Sequence, residues 1–548
     1  MACCVIWFRR DLRLADHAAL VEGCRRGAVL PLFILDPALL LHPETGSARV
    51  AFLLASLRAL DRELRELGGR LVVRRGDPLQ ELVTVVRACR ADAVIAHTDN
   101  ERIVGRVRDA AVNRRLAAEG IPIHWIEPAG SSPELLPYSS WSRRWQAAMH
   151  RAAPARPERV HLPASAADTL ADQAIPDLQE LGLPDCRTPL PPAGSAAARA
   201  RLTGFCQGAA SRSYFWELSY PAARVGSGLS PYLKFGVITP RQVLQDLAGL
   251  VEQGGTRQRS ALQLASRLRW GAAMHQRFRH LPQLEQASLW TPFDESGGTG
   301  LDAEGQELYD AWRQGRTGFP IVDAAARCLA AEGGWLELNF RSRAIYASFL
   351  ANLCGIDWRL WALHFMRQLI DGDCPIDHYQ WAMQAGVTVA GQGGWTRIYH
   401  PGQVAVDRCD PQGLFIRRWL PELAELTNDQ LGMPPPMEAY PRPVLAYEAA
   451  RRRRLETLER QRQRIGDVRM AMARPPRDSG DRALELFPPA LELDALEPGQ
   501  WTALLSWFRP GRSGAEAKPG PGPGHRTRRP GRRKAEAPGQ LSLDLLLP

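Results

Sequence analysis

Five short apolar runs of strand type, at residues 5–8, 29–34, 71–73, 93–96 and 121–125, punctuate the first 128 residues, with longer helical patterns between them. The clearest helical pattern spaces Phe52, Leu53, Leu57, Leu60, Leu64 and Leu67 along one face and stops at Gly68-Gly69. Strands alternating with such helices pair in parallel through right-handed crossovers, so residues 1–128 are expected to form an α/β domain on a doubly wound parallel sheet. A glycine-rich GxGxxG turn does not follow the first strand. WFRRDLRLADH stands there instead, which argues against simple dinucleotide binding.

Residues 129–195 are rich in Pro, Ser and Ala and read as an inter-domain connector with one short helix near 141–150. From 196 to about 470 the pattern is helical, which makes a large all-α domain. Residues 471–548 form a C-terminal extension, ambiguous at first and then rich in Pro, Gly and Arg from about 508. That last part cannot bury enough apolar surface to offset chain entropy and is expected to be disordered.

The chain has a formal net charge of +10. Residues 508–534 alone hold nine Lys/Arg against Glu516, a surplus of +8, so the folded part is close to neutral. Charge therefore does not by itself define a nucleic-acid groove. The ten cysteines lack metal-binding spacing and read as reduced thiols, so no metal is expected. The N-terminus lacks a signal-peptide pattern, and nowhere do about 18 apolar residues run together, so a cytoplasmic protein without membrane contact is expected.

In GSGLSPYLKFG (226–236), Ser230 and Pro231 fit the N-cap and first position of a helix. Gly226, Ser227 and Gly228 before them give a backbone that can curl around an anion, and the free amides of a helix start would complete a phosphate site. Alone, the pattern fits an ordinary capped helix after a flexible loop better. A second stretch, 312–401, carries GRTGFPIVDAAARCL, NFRSRAIYASFL, IDWR, DGD and RIYHP, with Trp312, Trp358 and Trp381 threaded through it.

Together with WFRRDLRLADHAAL at the start, these motifs run colinearly from residue 1 to about 425 and resemble the cryptochrome/photolyase flavoprotein family. The resemblance implies FAD in the helical domain and, in many members, a second light-harvesting chromophore, a pterin or deazaflavin, in the α/β domain. It implies that Tyr214 and the loop of Gly226, Ser227, Gly228, Leu229 and Ser230 hold the FAD phosphates. Arg343 and Asp371 match a charge pair against the flavin ring, and Asp373 matches a further FAD contact. Asp377 matches the position facing flavin N5, usually Asn in photolyases and Asp in plant-type cryptochromes. A carboxyl beside an apolar ring should have a raised pKa and could serve as a proton donor. Trp381, Trp358 and Trp312 fall on the electron-relay positions, with Trp381 next to the flavin and Trp312 near the surface. Asn100 and Glu101 resemble a pterin-contacting pair.

On the substrate side the resemblance implies a pocket for a lesion flipped out of the DNA duplex. Trp270 keeps one of two tryptophan walls, but Met383 stands at the other and Arg267 replaces a glutamate; Arg341 lies on the same side. The resemblance thus implies FAD-dependent, blue-light-driven electron transfer. It points to a deoxyribodipyrimidine photo-lyase-type carbon–carbon lyase repairing pyrimidine lesions in DNA, or to a cryptochrome-type photoreceptor without repair. The final residues, QLSLDL (540–545), resemble peptides that dock on the bacterial sliding clamp, with Gln540, Leu541, Leu543 and Leu545 as anchors. A monomer acting on DNA is expected.

Overall fold

The computed structural model describes residues 2–164, 174–294, 301–388, 398–465 and 496–508. Five strands, β1 (Ala2–Phe8), β2 (Gly27–Leu35), β3 (Val72–Arg75), β4 (Ala93–His97) and β5 (Ile123–Ile126), form one parallel sheet in the order β3-β2-β1-β4-β5. Each of the five expected strands is present, displaced by no more than a few residues at its ends. The expected amphipathic helix is α1 (Ser47–Glu66), whose Phe52, Leu57, Leu60 and Leu64 are buried; Gly68 follows it at φ +83. β1 is buried from Cys3 to Phe8, as a central parallel strand covered on both faces must be. The chain reverses its direction of sheet growth between β1 and β4, and this places the residues after both strands at a topological switch point.

The connector carries α2 (Tyr138–His150). The helical region beyond it includes α3 (Ala210–Glu217), α4 (Ser230–Lys234), α5 (Gly255–His280), α6 (Ala303–Gln314), α7 (Phe340–Ser348), α8 (Trp358–Gln368) and α9 (Cys374–Gln384). Residues 496–508, ambiguous in sequence, include α10 (Pro498–Ser506). Trp501, Leu504 and Trp507 of this segment are buried, and the Trp507 indole N–H donates to the carbonyl of Leu136 at 2.9 Å, beside α2.

The sheet and the helices meet without a gap at Gly236. Its φ of +62 suits glycine, and a Cβ there would stand 2.1 Å from the carbonyl oxygen of Arg10. The Leu12 amide donates to the Phe235 carbonyl at 3.1 Å in the same contact. Ion pairs cross the same boundary: Arg10 to Asp373 at 2.8 Å, Lys234 to Glu101 at 2.8 Å and Arg102 to Glu285 at 2.7 Å. Among the described residues no helix is long and apolar enough to cross a membrane.

Candidate flavin and substrate site

A cavity of about 650 Å³ opens between the C-terminal ends of the strands and the helices α5, α7 and α9. Arg343, Asp371, Asp373 and Asp377 line one part of it. Arg343 projects from α7, where its Nε donates to the Leu338 carbonyl at 3.0 Å and its Nη2 bonds the Gly334 carbonyl. Its Nη2 lies 3.4 Å from an Asp371 oxygen. That separation is long for a charge-assisted bond, so both groups keep hydrogen-bonding capacity for a polar ring edge.

Asp373 precedes α9 and Asp377 sits in its first turn. The Asp373 amide donates to Asp377 Oδ2 at 2.7 Å. Burial raises the Asp377 pKa to about 6; the Asp373 amide and Arg343 pull against this, while Asp371 and Asp373 add to it. The expectation of a raised pKa thus already holds from the protein alone. Asp373 behaves oppositely. Burial pushes its pKa up, but His275, Lys234 and Arg10 outweigh that and hold it well below the usual carboxylate range. Its carboxylate lies 3.3 Å from His275, 3.7 Å from Lys234 and 2.8 Å from Arg10. The expectation of Asp373 as a further FAD contact did not include these three basic partners, which come from the turn after β1, from α4 and from α5.

The phosphate loop departs from its expectation. Ser230 is the first helical residue, Leu229 holds the cap position, and no side chain caps α4, a helix of only five residues. The pattern Ser-Pro fits N1-N2 as well as Ncap-N1, and the backbone chose the former. Ser230 lines the cavity, Gly226 is exposed, and Gly228 at φ +64 lies over Arg201, where a Cβ would stand 2.4 Å from Nε. Arg201 Nε donates to the Ser227 carbonyl at 3.2 Å, so this loop has a cation behind it that sequence reasoning missed. Tyr214, on α3, is buried edge-on against Phe205 with ring centroids 5.7 Å apart.

Trp381 follows Asp377 by four residues on α9, so both side chains lie on one face. Its ring packs edge-on against Phe365 of α8, centroids 4.5 Å apart. Trp358, the first residue of α8, donates its indole N–H to Ser288 Oγ at 3.0 Å and meets the His378 ring edge-on at 5.8 Å. Trp312 has no exposed surface of its own, although Arg313 and Gln314 beside it are exposed, and its indole N–H donates to the Tyr346 carbonyl at 3.0 Å. It is covered by a stack with Tyr346, at 4.2 Å between centroids and 12° between planes.

On the substrate side, Arg267 and Trp270 stand three residues apart on α5 and share a face. Arg267 lines the cavity with its guanidinium 5.2 Å from the centre of the Phe340 ring, and Trp270 and Met383 are half-buried. Gly271 and Ala272, which follow Trp270, also line the cavity, which is widened by their small size. Arg341 donates to the Tyr399 hydroxyl at 3.0 Å.

A smaller cavity of about 80 Å³ lies at the C-terminal ends of β1 and β2. Trp7, Phe33, Leu40 and Leu53 supply apolar walls, with Arg49 and Asp99 among its charged lining. Glu101 reaches this cavity but its carboxylate is held by Lys234, while Asn100 lines the larger one with a buried amide oxygen that has no protein partner. The pair expected to act together is thus split between two cavities.

Asp11, His17 and His97 cluster nearby in a metal-like arrangement. However, His17 Nδ1 accepts the Leu20 amide at 2.9 Å. This places the proton of a neutral ring on Nε2, so the nitrogen facing Asp11 has no lone pair to offer a metal.

This fold and cavity have counterparts among known proteins. Residues 4–128 match the family model described as DNA photolyase, and residues 264–460 match the FAD binding domain of DNA photolyase. The chain is 32% identical over 473 residues to a deoxyribodipyrimidine photo-lyase of Synechococcus sp., covering 81% of this chain and 93% of that protein. It is 31% identical to a cryptochrome DASH of Gloeobacter violaceus, covering 82% and 90% respectively. The solved structure of a bacterial class III photolyase from Agrobacterium tumefaciens superposes with a TM-score of 0.72 at 26% identity, over 84% of this chain and 98% of that one. A flavoprotein class is thereby defined, an α/β domain joined to a helical FAD-binding domain. The chain belongs to the cryptochrome/photolyase family.

Proposed function

We propose that this chain is a photolyase-type enzyme that uses bound FAD and blue light to move an electron to a pyrimidine lesion in DNA. The observation that carries the reading is the arrangement on α9. One helix face presents the Asp377 carboxyl, next to the Arg343–Asp371 pair, and the Trp381 indole one turn on. The cavity suits FAD because it has unspent polar capacity, at Arg343, Asp371 and the Asn100 amide oxygen, beside apolar surface from Leu233 and Ile376. When bound, FAD supplies light absorption and one-electron chemistry. Arg343 and Asp371 would hold its ring edge, Asp377 would keep a proton beside it, Ser230 with the loop before it would hold the phosphates, and Trp381 and Trp358 would serve as electron donors.

DNA is the partner; Arg267, which lines the cavity, together with Trp270, Met383 and Arg341, which do not, would border the place a flipped-out lesion occupies. Light-driven loss of thymine dimers from single- and double-stranded DNA tests this directly. Repair supports the enzyme, and photochemistry without repair points to the second reading, a photoreceptor. That reading draws on the acid at 377 and on the cation at 267, which reverses the charge offered to a thymine edge.

The smaller cavity supports an antenna chromophore. Its aromatic walls match a flat ring, although the volume is too small for one until side chains such as Leu40 give way. A second absorption band in the purified protein, with energy transfer to FAD, checks it. Gln540, Leu541, Leu543 and Leu545 lie outside the described residues; we read them as a clamp-docking anchor on a basic tether that would raise local concentration near DNA. Titration of a peptide of residues 535–548 against purified clamp decides this, and an absence of binding ends it. The working unit is a cytoplasmic monomer.

A further inference from the structure

Ring contacts connect Trp381 to the protein exterior by a path that bypasses Trp358. From Trp381 the Phe365 ring is 4.5 Å away, and Phe365 lies 6.2 Å from Tyr346. Tyr346 stacks on Trp312 at 4.2 Å, and Trp312 stacks on Tyr309 at 5.9 Å with 26° between planes. Tyr309 and Trp312 are three residues apart on α6 and share a face. Tyr309 is half-buried, whereas Trp312 and Tyr346 have no exposed surface. Trp358 lies at the start of α8. It stands seven residues before Phe365 on α8, about 10 Å along the helix axis.

We infer that Tyr309 is the terminal electron donor of a second branch, fed through Trp312 and the Tyr346–Phe365 ring bridge. The inference rests on the reading that Trp381 is oxidised by photoexcited FAD.

The chemistry of the intermediate groups assigns their roles. Phe365 has no accessible oxidation and acts as a bridge. The buried Tyr346 hydroxyl has no hydrogen-bond partner, so its proton has nowhere to go and the phenol stays reduced. Trp312 donates its N–H to a backbone carbonyl, which cannot accept a proton, so an oxidised Trp312 remains a cation and passes the hole onward. At Tyr309 the phenol reaches the protein edge. There it can lose one electron to Trp312 and its proton to water, forming a neutral tyrosyl radical. The electron given up by Trp381 is thereby replaced by one from Tyr309, and an external thiol returns a hydrogen atom to the tyrosyl radical.

The test is electron paramagnetic resonance and transient absorption of the full-length, FAD-loaded protein after a blue flash. A tyrosyl signal is expected in the parent protein and in Trp358→Phe, with loss of that signal in Tyr309→Phe and Trp312→Phe. Tyr309→Phe removes only a hydroxyl from a half-buried ring and keeps the test valid if the fully buried Trp312 tolerates no change. Tryptophan radicals without a tyrosyl signal, or a tyrosyl signal that survives Tyr309→Phe or disappears in Trp358→Phe, overturn the branch alone. Absence of every radical from the parent protein overturns the underlying photoreduction reading, and the branch with it.

Discussion

Asp377 and Tyr346 show how single buried polar groups carry opposite consequences. The Asp377 pKa is raised by burial from an ordinary 3.8 to about 6, so the folded protein holds its proton where the unfolded chain has released it. The stabilisation from that proton is complete below 3.8 and is lost as pH rises through about 6. Asp377→Asn should remove this dependence. It should raise the stability of the FAD-free protein at pH 7 by on the order of 2 to 3 kcal/mol relative to the parent, with little difference at pH 4. Denaturant titrations at the two pH values read the result, and a constant gap between them would contradict it. Tyr346 has a buried hydroxyl with no partner, which costs free energy that Phe would not. Tyr346→Phe should therefore stabilise the protein by about 1 kcal/mol. It keeps the Trp312 stack, so a drop in melting temperature would show that the hydroxyl is bonded after all.

The elements differ in how far sequence disclosed them. Strand and helix alternation in the first domain was legible because buried parallel strands read as short apolar runs and the α1 face repeats every three to four residues. The Arg343, Asp371 and Asp377 cluster was legible through motifs close together in the chain. The partners of Asp373 were not, since Arg10 is 363 residues away and nothing local announces that contact. Ser230 missed its cap by one position because local patterns locate helix ends only within a residue or two. That Trp312 itself has no exposed surface was not legible, because a motif says which residue types follow one another, whereas burial depends on what stacks against them. The segment at α10 was unreadable because its apolar residues fit no single period, and its order comes from tertiary contacts. Trp507 packs with Trp141 at 5.1 Å between centroids, and its carbonyl accepts from Arg277 at 2.6 Å. Trp507→Ala should cost about 3 to 5 kcal/mol. Chemical denaturation is the measurement, and a change under 1 kcal/mol, about what an exposed site gives, would mean that α10 is not docked in solution.

At the scale of the molecule, sheet and helices are joined by buried ion pairs that converge on the flavin side. Glu44 pairs with Arg102 and lies 2.9 Å from His378, the residue after Asp377. Asp373 gathers basic groups from the turn after β1, from α4 and from α5. Such pairs do little for net stability against an apolar alternative, but losing one partner leaves a buried charge, so they fix how the two parts fit together. The cavity between them is therefore held rigid where its function needs a defined ring position. The border proposed to face the lesion is lined by the small Gly271 and Ala272 and by Arg267. The account thus rests most heavily on the flavin side. Photoreduction of the bound FAD under blue light with a thiol present, comparing the parent protein with Trp381→Phe, tests it most directly. The account predicts that the parent bleaches the oxidised flavin absorbance and that the variant largely fails to do so. Protein that retains no FAD, or equal bleaching in the two, would contradict it.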